Sequence, residues 1–118
     1  MNEENPKPVL QYRLTAAIAE KRIRALAADS NNIDWGDHAL ERMEEREIVD
    51  IDVLRVLRTG FAEGRPETTS GSGEWKVKMV RKIRGDREVG VVTIILVNTR
   101  LFVKTVEWED LQIGRAHV

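Results

Sequence analysis

The segment "EWKVKMVRKIR" (74–84) alternates, with Trp75, Val77 and Met79 on one side and Lys76, Lys78 and Lys82 on the other. As a strand it sets Lys76 and Lys78 on one face, about 7 Å apart, a spacing that can grip adjacent phosphates. Arg81 interrupts the apolar side and is aimed toward the same groove, and Arg84 and Lys104 extend the basic set. Between Lys76 and Arg87 six bases stand against Asp86 alone, whereas Asp37–Asp52 holds seven acids and two bases. A net charge of −1 thus conceals a segregation able to make a local positive surface. The same lysines also suit a solvated strand edge. Two further groups could do chemistry. Glu107 shares its strand face with Thr105 and Val103, opposite Lys104. His38 stands in the first turn of a helix, where the helix dipole favours neutral imidazole and hence a base or hydrogen-bond donor. A plain hydrogen bond across a helix–sheet junction would explain His38 equally well, and His117 in the tail reads as incidental.

These groups need elements to hold them. A chain of 118 residues has the size of one domain, 42% hydrophobic and 33% charged, as a globular protein requires. Residues 1–8 and 111–118 read as loose tails. Residues 9–28 are rich in helix formers, with Leu10, Leu14, Ala17 and Ile18 on one stripe and Ile23 and Leu26 off it. "DSNN" (29–32) ends that helix, and "IDW" (33–35) reads as a short strand or connector. Asp37 is the expected cap of a second helix with Leu40 and Met43 inward. A third runs from Asp50 to Arg58, capped by Asp50 and stopped by Gly60. Beyond Gly60 the period changes to that of strands: a short extended piece "FAEGRPE", a flexible "TTSGSG", then three strands joined by "GD" and "NTR". Turns this short join antiparallel neighbours. The expectation is an α+β domain, its N-terminal helices packed on one face of a small antiparallel sheet.

Composition also excludes. With no cysteine there are no disulfides, thiol nucleophiles or ordinary structural zinc sites. The acids of "HALERMEEREIVDID" are spread around a helix axis and converge on no second cluster, so no metal or other cofactor is expected. "RGD" (84–86) is explained by a hairpin. No apolar run approaches the ~20 residues of a membrane span, and the polar N-terminus is unlike a secretory signal, which makes cytoplasm the expected location.

The order "DHALERMEEREIVDIDVLRVLRTG", flexible stretch, "EWKVKMV", turn, "VGVVTIILV", turn, "LFVKTVEW" resembles an uncharacterised bacterial domain family. That family has a His-Ala-x-x-Arg-Met helix, matched here by His38, Ala39, Arg42 and Met43, and a second helix ending in glycine, here Gly60. Over about residues 10–110 the order is also similar to the MqsR branch of the RelE-like toxins, which cut messenger RNA, often on the ribosome. Glu47 replaces a customary glycine and Val49 a customary Ser or Thr cap. The strands hold no tyrosine, the single one being Tyr12, and no histidine.

The resemblance implies a metal-free endoribonuclease of a toxin–antitoxin pair. Such cleavage needs a base for the 2′-hydroxyl, a cation for the phosphorane and an acid for the leaving oxygen. Lys76, Lys78, Glu107 and His38 are the candidates for that chemistry. Arg81, Lys82, Arg84 and Lys104 are candidates for holding RNA in an open, positively charged groove. Glu107 is the best available base, although a surface ion pair with a neighbouring lysine would account for it too. The implied partners are messenger RNA, free or on the ribosome, and an antitoxin of helix-turn-helix type; self-association stays open. The missing tyrosine and sheet histidine favour a second hypothesis, a non-catalytic interaction module or degenerate toxin of the same fold.

Overall fold

The computed structural model describes residues 14–70 and 73–109. Helix α1 (Ala16–Ala27) begins where the Thr15 hydroxyl accepts the Ile18 N–H and buries Ala19, Ile23 and Ala27. Those three positions are four apart, so they form the stripe that meets the sheet. Ile18, expected inside, is half exposed. The part of the expected helix before Leu14, with Tyr12, lies outside the described residues.

A 3-10 turn (Ser30–Asn32) leads into β1 (Ile33–Trp35). Helix α2 (Asp37–Arg46) is capped by Gly36 rather than by Asp37, because Asp37 already has helical backbone. It buries Ala39 and Met43 but leaves Leu40 exposed. The helix ends on Glu47 in the left-handed region (φ 58°), where the customary glycine would be unstrained. In α3 (Asp50–Thr59) the N-cap is Val49, not Asp50; a valine cannot bond the helix end, so the Asp52 carboxylate accepts the Val49 N–H at 3.1 Å.

Strands β2 (Phe61–Thr68), β3 (Trp75–Arg84), β4 (Arg87–Ile95) and β5 (Leu101–Trp108) form an antiparallel meander. The extended piece after Gly60 is thus a full edge strand. The sheet order is β1-β5-β4-β3-β2, and β1 adds a parallel edge against β5. A bidentate Arg100–Asp34 pair holds that edge, with guanidinium nitrogens 2.6 and 2.9 Å from the carboxylate oxygens. This is an α+β fold with its helices on one face of the sheet. Val77, Met79, Val91, Val103 and Val106 fill the core beneath them with Ile23, Val53, Val56 and Leu57. Trp75 packs against that core, as its alternation with Val77 and Met79 requires. Truncating Leu57, fully buried, is expected to cost about 2–5 kcal/mol.

Candidate functional site

The face of the sheet opposite the helices carries Lys76, Lys78, Val80 and Lys82 in alternation on β3. Register determines what these lysines meet. Glu63 of β2 lies opposite Lys78 and Glu67 opposite Lys76. Between these two pairs three residues of β2 (64–66) face only Val77 of β3, and an irregularity around Gly64, at φ 76°, absorbs the excess. The Lys76 Nζ lies 3.3 Å from Glu67, and the Lys78 Nζ lies 3.3 Å from Glu63. Lys78 also reaches the far side of β4, 2.6 Å from Glu109 Oε1 and 3.8 Å from Glu107 Oε2.

That reach depends on Gly90. A Cβ there would overlap the Glu109 carboxylate and the Lys78 methylenes, so the pair meets above bare backbone. Glu109 is 6% exposed, and its Oε2 is buried without a hydrogen-bond partner among the described residues. Burial raises its carboxyl pKa; the Lys78 bond opposes the rise without cancelling it, and Glu107 and Glu63 add to it. For Lys78, burial works to lower the pKa, but the bonds to Glu109 and Glu63 outweigh it and the net shift is upward. Lys78 therefore stays an ammonium at neutral pH. The groups form a tethered cation ringed by three carboxylates, beside an open cavity of about 270 Å³ lined partly by Arg65, Lys76 and Val92.

Of the residues singled out by sequence, Lys76, Lys78 and Glu107 are brought together on this face. Glu107 reaches it because a bulge between β4 and β5 leaves Lys104 unmatched, with Thr93 opposite Val103 and Val92 opposite Thr105. Val103 is consequently in the core and not beside Glu107, as strict alternation predicted. Lys104 is exposed on β5, and the Lys82 side is exposed beyond Val80. Arg81 and Arg84 belong to the other face. Arg81 donates toward the Thr59 carbonyl (3.4 Å), and Arg84 bonds Asp52 at 2.7 Å and lies over the Trp108 ring. His38 is exposed in the first turn of α2, in the helix layer, and cannot join the lysines.

The groove expected to be positive is instead balanced, because β2 on one side and the end of β5 beyond β4 on the other bring carboxylates to its lysines. The alternation read from sequence found the lysines. It missed Glu63 and Glu67, whose partners depend on the β2 irregularity, and Glu109, which stands just past the last alternating strand. The tail beyond Glu109, including His117, lies outside the described residues. Among the described residues no group of His, Asp and Glu is arranged to hold a metal ion, and no helix is long and apolar enough to cross a membrane.

Neither a curated protein nor a solved structure matches the chain. A family model described as a domain of unknown function (DUF4258) matches residues 35–108, which run from the last residue of β1 through β5 and include Lys78, Gly90 and Glu107. The chain belongs to that family.

Proposed function

We propose that this domain is a RelE/MqsR-like endoribonuclease, the toxin-like member of a toxin–antitoxin pair, acting on messenger RNA through the Lys78 cluster. The observation that carries the reading is the Lys78 ammonium held over Gly90 by the buried Glu109, with the half-exposed Glu107 3.8 Å away. Glu107 takes the proton of the 2′-hydroxyl, whose oxygen attacks the adjacent phosphorus. Lys78 neutralises charge on the non-bridging oxygens as the phosphorane forms. The bond from phosphorus to the 5′-oxygen then breaks, and Lys76 gives that oxygen a proton. The products are a 2′,3′-cyclic phosphate and a 5′-hydroxyl. Glu109 acts through Lys78 as a positioning residue. Lys82 and Lys104 are the remaining contacts for the RNA backbone, and the antitoxin would cover the same face.

The ion pairs that Lys76 and Lys78 make with Glu67 and Glu63 support a second reading, a protein-interaction module of the same fold. A charge-balanced face suits a protein partner better than a polyanion. One experiment separates the two. Under the first reading, induced expression arrests growth and depletes full-length transcripts, and purified protein leaves cyclic phosphate ends on RNA; Lys76→Ala with Lys78→Ala abolishes all three effects. Harmless expression with intact transcripts would leave only the interaction module.

A further inference from the structure

Phe61 opens β2 opposite Val80 and is 56% exposed, although it heads a strand whose next residue, Ala62, packs against the core. Because β2 begins there, the Arg81–Arg84 half of β3 has no strand beside it on that edge. The result is a notch of about 340 Å³ lined by Phe61, Val80, Arg81, Lys82 and Glu88. The ring is braced from elsewhere. The Arg24 guanidinium, which does not line the notch, lies 5.4 Å from the ring centroid, and its Nε donates to the Gly60 carbonyl at 3.0 Å. Gly60 itself is hemmed in, since a Cβ there would overlap the Val56 and Val80 carbonyls. Phe61 is thus an exposed aromatic ring on a fixed backbone. Lys78 and Lys82 flank Val80 on the same face, each about 7 Å from it.

We propose that this notch is a nucleobase-stacking site for single-stranded RNA, which seats the nucleotide next to the phosphate held at Lys78. The proposal rests on the ribonuclease reading for its choice of ligand. An exposed apolar ring in a notch that Arg81 and Lys82 also line matches a base beside a phosphate, and stacking on an aromatic face tolerates any base. The site would position the strand along β3 without taking part in bond breaking.

The test uses a fluorescent single-stranded oligoribonucleotide with 2′-O-methyl groups throughout, which cannot be cut, at fixed low salt. Its Kd is measured for the full chain and for Phe61→Ala, Phe61→Leu and Phe61→Trp, each checked for an unchanged thermal transition. Loss of affinity by about five- to a hundredfold in the Ala and Leu variants, with Trp near the parent, is the expected result. Phe61→Leu keeps apolar bulk at the notch, so its loss separates stacking from simple packing. Equal affinity across all four chains would overturn the stacking site. So would binding too weak to detect in the parent, or a Phe61→Ala effect confined to self-association in sedimentation. Cleavage of unmodified RNA is assayed in parallel. Phe61-dependent binding without cleavage would retire the ribonuclease reading and keep the stacking site, and cleavage untouched by Phe61 would do the reverse.

Discussion

The two ends of β3 carry similar charge and meet different partners. At its start, Lys76 and Lys78 project to the open face and meet Glu67, Glu63 and Glu109. At its end, Arg81 and Arg84 turn to the helix side. Arg84 clamps Asp52, the residue that caps α3 through the Val49 N–H, and stacks on Trp108 beside Arg87, whose guanidinium lies 3.9 Å from the ring centroid. A count of bases along the strand treats the four alike. The two-residue period, broken by the irregularity between Lys82 and Arg84, divides them into a pair on the open face and a pair on the helix side. Type of cation follows role: planar guanidinium suits fixed carboxylates and rings, and a flexible ammonium suits a cluster it must reach across a neighbouring strand.

The sharpest way to break this comparison is to mutate both ends and assay both properties. Under the ribonuclease reading, Lys78→Ala should slow RNA cleavage at least a hundredfold, about 3 kcal/mol in the barrier. Arg84→Ala should leave cleavage per folded molecule unchanged. Gly90→Ala should fall near the Lys78 variant in activity while its thermal transition stays in place, because only the ends of two flexible side chains must move. Equal activity losses at Lys78 and Arg84 would dissolve the division.

A smaller effect is expected at Asp52. Asp52→Ala removes the cap of α3 and leaves Arg84 unpaired, at a cost of about 1–2 kcal/mol in urea unfolding without loss of activity. Glu47→Gly should move in the opposite direction and stabilise by about 1 kcal/mol, since a left-handed residue is relieved of its side chain. Unchanged stability there would mean that the Glu47 side chain compensates for its backbone.

The smallest effect is one of pH. The Glu109 carboxyl has a raised pKa, so between the ordinary glutamate range and its own value the folded chain binds more protons than the unfolded one. Its contribution to stability is therefore complete below the ordinary glutamate range and is lost as pH rises through the raised value. Glu109→Gln cannot ionise and should flatten that decline in unfolding measured across mildly acidic to neutral pH. A parent and variant with parallel profiles would show that the Lys78 ammonium fully offsets the burial.

How legible the molecule was in its sequence varies by element, and the reasons are local. The alternation 75–79, the "GD" turn with Gly85 at φ 61° and the run of apolar residues in β4 express backbone geometry and burial within a few residues, so the meander could be read directly. The parallel seat of β1 could not, because "IDW" pairs with β5 across more than sixty residues. For the candidate site, Lys76 and Lys78 followed from residue type and face, whereas Glu107 was found by type alone, since the β4–β5 bulge and not simple alternation brings it to them. His38, Arg81 and Arg84 were misplaced: His38 because nothing local says which side of the sheet a helix start faces, and the arginines because a charged residue on the apolar side of a strand reads as a break when it is a clamp.

What the sequence alone determined is therefore the fold class, the helix-then-meander order and the two lysines on one strand face, all consequences of short-range periodicity. Tertiary structure decided that the lysines are neutralised, that Glu109 belongs with them, and that Gly90 must be bare for them to meet. Those facts come from strand register and two irregularities in it. Register is fixed by how whole strands bury their apolar faces together, and a single extra residue at a bulge redirects every side chain beyond it.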